Sequence, residues 1–244
     1  MKALQILEPG RHVIVDVPMP EPKPHEALVQ VEAVTTCPHW DMHIFGGEPM
    51  FPGGTLEYPY TVGQPGHEAV GRVVSVGSNV TAVREDQRVC VWRDRGHDVQ
   101  GCYAEYVAVD ETALIAGPKD LPPQALARLE LAMCVSAHII FAEKLDALKG
   151  KRVGVFGLGP AGLVCVQLAQ VARASEVIGF DPLAQRRELA GQFGARTLDP
   201  RDGEFTETLA CSFDCAGSAS AVHTAMAITQ GPVILFAVQR EAYT

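Results

Sequence analysis

Residues Val153–Asp181 constrain this chain more than any other stretch. The apolar run VGVF ends in Gly157-Leu-Gly159-Pro160-Ala161-Gly162, a G-x-G-x-x-G turn, and AGLVCVQLAQVA then continues without a charge. A second apolar run, EVIGFD, ends in Asp181, 19 positions after Gly162. Strand, glycine turn, helix and acid, spaced by about 20 residues, form the signature of a βαβ dinucleotide unit. One glycine makes the tight turn, the next admits the pyrophosphate, and the third lets helix and strand pack closely. The free N–H groups that open the helix face the anion. Asp181 is placed to accept the adenosine ribose hydroxyls and to repel a 2′-phosphate, so the reading favours NAD over NADP. Arg186 and Arg187 lie just beyond and temper that preference, because an arginine can pair with a phosphate.

The same stretch could be mistaken for a membrane span. Val153 to Ala172 carries no charge for 20 residues, about the length that crosses a bilayer. It also holds Gly154, Gly157, Gly159, Pro160 and Gly162, which suit a strand, a turn and a buried helix better.

Beyond Asp181 the pattern continues as helix LAQRRELAGQFG and short strands RTLD, FDCA and PVILFAV, an order that predicts a parallel doubly wound sheet of five strands. The first half differs. HVIVDV, ALVQVEAV, AVGRVVSVG, QRVCVW and AEYVAV are short β-type runs separated by Pro and Gly. They predict a compact, mostly antiparallel barrel or sandwich. Turn formers crowd the stretch from Gly46 to Gly66, which reads as a long loop. Near residue 122 the texture becomes helical, with Leu126, Leu129, Met133, Ala137 and Ile140 as the predicted apolar stripe. The fold class is α/β with a β-rich N-terminal domain at 1–146 and a nucleotide domain at 147–244.

Acidic side chains number 29 against 20 basic ones, a net charge of −9, and no basic block occurs. That balance argues against a nucleic-acid partner or an anionic membrane. No apolar leader follows Lys2, and the seven cysteines are odd in number. Free thiols or metal ligands in a reducing, cytoplasmic setting are expected.

Those cysteines join other metal-type donors. TTCPHWDMHIFGG supplies Cys37, His39, Asp41 and His43; GHEAVGRVVSVGSNV supplies His67 and Glu68; LAMCVSAH supplies Cys134 and His138. A catalytic zinc takes three protein ligands of N, S or O type and keeps an open position. Seven cysteines and eight histidines leave the choice of ligands open.

GHEAVGRVVSVGSNV, the β-rich first half and GLGPAG together resemble the zinc-type medium-chain alcohol dehydrogenases, over almost the whole chain. The resemblance implies a GroES-like partly open β-barrel followed by a Rossmann sheet. It places the catalytic zinc on Cys37, His67 and Cys134, with Glu68 beside the metal and Asp41 orienting the histidine ligand. It implies a homo-oligomer, a dimer or tetramer, and a small alcohol or carbonyl substrate. The family's acid stands three residues after the first cysteine; here Trp40 occupies that place and Asp41 follows it. The family's proton relay stands two residues after the cysteine, where this chain has His39, with His43 as a second candidate. A four-cysteine lobe after VCV has only Cys102 here, so no structural zinc is expected. The family chain also runs on through a last strand and a return to the first domain, so this chain reads as C-terminally shortened.

The function that follows is zinc-dependent hydride transfer between an alcohol or polyol and NAD. The alternatives are a zinc-free enone or quinone reductase of the same superfamily and a non-catalytic nucleotide-binding protein. Trp92 is read as packing, with a place in a substrate pocket as the other reading. Cys90, Cys165, Cys211 and Cys215 are read as core residues.

Overall fold

The computed structural model describes residues 1–50, 53–203, 205–206 and 208–238. Phe51 and Pro52, within the expected long loop, lie outside the described residues. The chain divides into two compact units, Met1–Leu131 and Ala132–Thr244.

In the first unit, β1 (Lys2–Glu8) and β2 (Arg11–Asp16) form an antiparallel hairpin. Five further strands make one antiparallel sheet: β3 (Glu26–Thr35), β4 (Glu68–Val76), β5 (Arg88–Val91), β6 (Tyr106–Asp110) and β7 (Leu114–Ala116), in the order β6-β3-β4-β5-β7. β3 to β6 are rich in valine, whose stiff branched side chain packs well on a pleated surface. Val29, Val73, Val89, Val107 and Val109 meet in one buried core. The long β3·β4 pairing runs from Ala27↔Val76 to Thr35↔Glu68, with a register shift between Val31 and Ala33. That pairing delivers Thr35 and Glu68 side by side at the end of the sheet.

The segment after Thr35 is a helix. Helix α1 (Pro38–Gly46) starts with Cys37 as its cap and Pro38 in its first turn, and stops at Gly47 in a left-handed conformation. Proline suits that first position because its missing N–H has no partner to lose there. The Asp41 carboxylate accepts the Cys37 backbone N–H at 3.0 Å. This is the return half of a capping box, made one residue later than usual. The offset acid thus finds its reason in the helix.

The second unit holds β8 (Arg152–Phe156), β9 (Glu176–Phe180), β10 (Arg196–Leu198), β11 (Cys211–Asp214) and β12 (Val233–Leu235), all parallel, in the order β10-β9-β8-β11-β12. This is the doubly wound sheet expected from the strand and helix pattern, and the order reverses direction between β8 and β11. Buried residues at the centre include Phe156 and Phe180, whose rings stack at 4.3 Å.

Helix α2 (Pro123–Leu126) precedes α3 (Leu129–Lys144). Together, Pro123–Lys144 is long and apolar enough to cross a membrane by length and composition. Its buried residues within α3 are Val135, Ile139 and Ala142, so the expected stripe through Met133 and Ile140 is corrected: Met133 is 39% and Ile140 50% exposed. The break between α2 and α3 shifts the helical phase, which the count from Leu126 ignored. Val153–Ala172 becomes β8, the glycine turn and α4 (Pro160–Val171), followed by α5 (Ala184–Gln192). Helix α6 (Ala219–Ile228) between β11 and β12 had no clear sequence signal of its own; Ser218 caps it by accepting the Ala221 N–H.

Candidate metal centre and nucleotide site

Three donors converge in the first unit. Cys37 caps α1, while Glu68 opens β4 and His67 stands just before it. One ligand atom from each lies within 4.8 Å of the others, and His67 and Glu68 are buried. The His67 ring places Nδ1 2.7 Å from the Pro65 carbonyl. A carbonyl only accepts, so Nδ1 carries a proton, and in the neutral ring the lone pair is on Nε2. Nε2 lies 4.0 Å from Glu68 Oε1, and Glu68 Oε2 accepts the Thr35 hydroxyl at 2.6 Å.

Burial alone would lower the His67 pKa. The bonds to Cys37 and the Pro65 carbonyl, with the charges of Cys37 and Glu130, outweigh it and raise the value to about 9. Thiolate, imidazole and carboxylate are the donor types that bind zinc. Their convergence fits a divalent ion of that kind, which would stand in place of the Nε2 proton.

Asp41 was expected to orient the histidine ligand. The Pro65 carbonyl makes that contact instead, and Asp41 Oδ2 accepts the Cys37 N–H and the Tyr103 hydroxyl. The reason is again the register of α1, which turns Asp41 back onto its own cap. Burial raises the Asp41 pKa above the usual carboxylate range, against the lowering effect of the Tyr103 and Cys37 bonds. The rings of His39 and His43 meet edge to face at 4.9 Å, and His43 Nδ1 lies 3.7 Å from the exposed Glu48 carboxylate.

In the second unit the glycine turn sits between β8 and α4. Gly157 has φ +87°, and a Cβ on Gly162 would stand 1.9 Å from the Gly157 carbonyl oxygen. Helix and strand therefore touch through backbone. Gly159 differs: a Cβ there would meet only Arg186 Nη1, at 4.0 Å. The space in front of it is open, where the second glycine of such a turn faces a pyrophosphate. Pro160 and Ala161 begin α4, and Gly159 caps it. A pocket of about 530 Å³ is lined by Gly157, Gly159, Asp181, Arg186, Cys215 and Ser218, among others.

Asp181 lines that pocket, although it is only 2% exposed. Its Oδ2 accepts the Leu158 N–H at 2.9 Å and its Oδ1 the Leu183 N–H at 2.8 Å. Arg186 Nη1 stands 3.4 Å from Oδ2. The acid thus braces the turn as well as facing the pocket.

Comparison with known proteins places this geometry. Residues 23–119 match the alcohol dehydrogenase GroES-like domain. L-threonine 3-dehydrogenase of Symbiobacterium thermophilum is 33% identical over 221 residues, 81% of this chain and 60% of the relative. Alcohol dehydrogenase of Cupriavidus necator is 30% identical over 239 residues, 80% of this chain and 62% of the relative. A proposed zinc-binding dehydrogenase of Sinorhizobium meliloti 1021, solved with NADP, superposes with a TM-score of 0.83 at 29% identity, covering 100% of this chain and 79% of that one. Residues 23–119 thus belong to the alcohol dehydrogenase GroES-like domain family, and the chain beyond them is related to threonine and alcohol dehydrogenases. The chain spans about 60% of the length of the curated relatives it matches.

Within that family frame, Cys134 was expected as a ligand. It is exposed on α3, which belongs to the second unit, and the first unit by itself brings Cys37, His67 and Glu68 together. The Trp92 indole N–H donates to the Thr112 carbonyl at 2.9 Å, a packing role. Cys90, Cys165 and Cys211 are buried, and Cys215 is half-buried at the pocket beside the glycine turn. Sequence reasoning missed Thr35, Pro65 and Tyr103. None has a spacing signature; β3·β4 register, the turn before His67 and a long-range contact bring them in.

Proposed function

We propose that the chain acts in NAD-linked, zinc-dependent oxidation of a small alcohol or polyol, or in the reverse reduction. The observation that carries this reading is the buried convergence of Cys37, His67 and Glu68. Cys37 and His67 would hold the ion, with Glu68 beside it. A bound zinc ion supplies Lewis acidity toward an alcohol oxygen, and a bound nicotinamide accepts the hydride.

The chain's own residues do the rest. The Pro65 carbonyl holds a proton on His67 Nδ1, so Nε2 is the nitrogen that would face the ion. Thr35 restrains the Glu68 carboxylate. His39 takes the hydroxyl proton and passes it toward His43, from which exposed Glu48 leads it to water; the 4.9 Å ring contact and the 3.7 Å His43–Glu48 approach support that route. Gly157, Gly159, Ala161 and Gly162 line the pyrophosphate with backbone N–H groups, and Pro160, which has none, opens the helix behind them. Asp181 faces the ribose and favours NAD.

Arg186 beside Asp181, and the NADP held by the Sinorhizobium meliloti protein, favour NADP as a second reading. The family's domain organisation, with residues 1–146 as the catalytic domain and 147–244 as the nucleotide domain, a cytoplasmic setting and a homo-oligomeric assembly complete the proposal.

The test is turnover of NAD and NADP, separately, over a panel of short alcohols and polyols. Zinc-dependent activity that disappears in Cys37→Ser supports the reading. Equal activity in folded Cys37→Ser protein rejects the ligand assignment.

A further inference from the structure

Tyr103 belongs to no part of the reaction described above, yet it touches both halves of the donor set. Its hydroxyl donates to Asp41 Oδ2, the oxygen that also accepts the Cys37 backbone N–H at 3.0 Å. At its other end Tyr103 lies against the turn that carries His67. Its backbone N–H donates to the Gly63 carbonyl at 3.0 Å. A Cβ on Gly66 would stand 2.6 Å from the Tyr103 nitrogen and 2.9 Å from its ring. Gly66 thus gives the ring its seat one residue before His67.

The segment that ends in Tyr103 is itself fixed. Arg95 donates to the carbonyls of Ala108 at 2.7 Å and Gln100 at 2.6 Å. Buried Gln64 donates to the carbonyls of Gly96 and Val99, both at 2.9 Å. Tyr103 therefore reaches Asp41 from a rigid support. The other Asp41 oxygen, Oδ1, is buried without a hydrogen-bond partner. A half-satisfied buried carboxylate depends heavily on the donors it does have.

We propose that Tyr103 is a positioning residue of the metal centre. It holds Asp41 on the Cys37 N–H and so keeps the Cys37 thiol at the start of α1, beside His67. This rests on the reading that Cys37, His67 and Glu68 bind a divalent metal. Partners one step removed from a metal ligand typically change affinity about 10- to 100-fold when lost.

The experiment is cobalt(II) titration of the full chain, followed by the thiolate-to-cobalt charge-transfer band. Tyr103→Phe removes only the hydroxyl and leaves the ring on Gly66. It is expected to weaken cobalt binding about tenfold or more and to shift the band. Asp41→Ala breaks the same chain of contacts from the other end and is expected to do the same. In the Asp41→Ala background, Tyr103→Phe is expected to add little, because the two act through one another. A merely structural tyrosine gives independent, additive losses and leaves the band in place. Additive losses, or cobalt binding by Tyr103→Phe equal to that of the unaltered chain, overturn the positioning role. Failure of the unaltered chain to bind cobalt overturns the metal reading beneath it, a distinct result.

Discussion

Single residues set the chemistry of both units. At the glycine turn, three glycines in one motif answer to different forces. Gly162→Ala drives a methyl group into the Gly157 carbonyl, 1.9 Å away. Overpacking of this kind costs about 1–3 kcal/mol, so a clear fall in melting temperature is expected in thermal denaturation. Gly159→Ala meets open space and is expected to leave the melting temperature nearly unchanged while weakening NADH binding, read by fluorescence titration. Equal thermal effects of the two changes contradict this account.

The thiols give a pH prediction. Burial pushes Cys90 and Cys102 up to about 11 and Cys211 up to about 12. Their folded values lie above the unfolded value of about 8.5. Protonated thiols therefore stabilise the fold fully below that value, and the contribution disappears as pH rises toward 11 and 12. Melting curves between pH 8 and about 11 are expected to show a falling midpoint. A midpoint that rises over that range contradicts the burial of these groups.

At the scale of elements, sheets were far more legible than helices and turns. The valine runs announced β3 to β6, and the glycine turn announced β8 and α4, because period and turn chemistry are local. Helix α1 was not legible. Its sequence, PHWDMHIFG, has no clean apolar stripe, and its start depends on an acid bonding to its own cap. The α3 stripe was misjudged because a break at Ala127–Arg128 resets the helical phase. Asp41 was legible as a residue that matters near the cysteine, but its partner was not, since Tyr103 lies 62 positions away.

The stacked pair of Phe156 on β8 and Phe180 on β9 ties the two strands that carry the turn and Asp181. Phe156→Ala is expected to cost about 3–5 kcal/mol, seen in urea denaturation as a lower midpoint. A change below about 1 kcal/mol would show that this stack is not part of the working core.

For the molecule as a whole, the two units carry separable tasks. The antiparallel unit gathers metal-type donors at the end of β3 and β4, and the parallel unit opens a pocket beside the glycine turn, where its strand order reverses. The dinucleotide unit could be read from residue types at fixed spacing. The metal donors could not be chosen from composition. They needed the family resemblance for Cys37, His67 and Glu68, and the fold to show those three together.

The most direct measurement is zinc content per chain by mass spectrometry of metals, for the unaltered protein and for Cys37→Ser and His67→Ala. About one zinc per unaltered chain, with most of it lost in either folded variant, is the expected result. Zinc retained at full stoichiometry in both variants, or no zinc uptake by the unaltered chain, contradicts the assignment of Cys37 and His67 as its ligands.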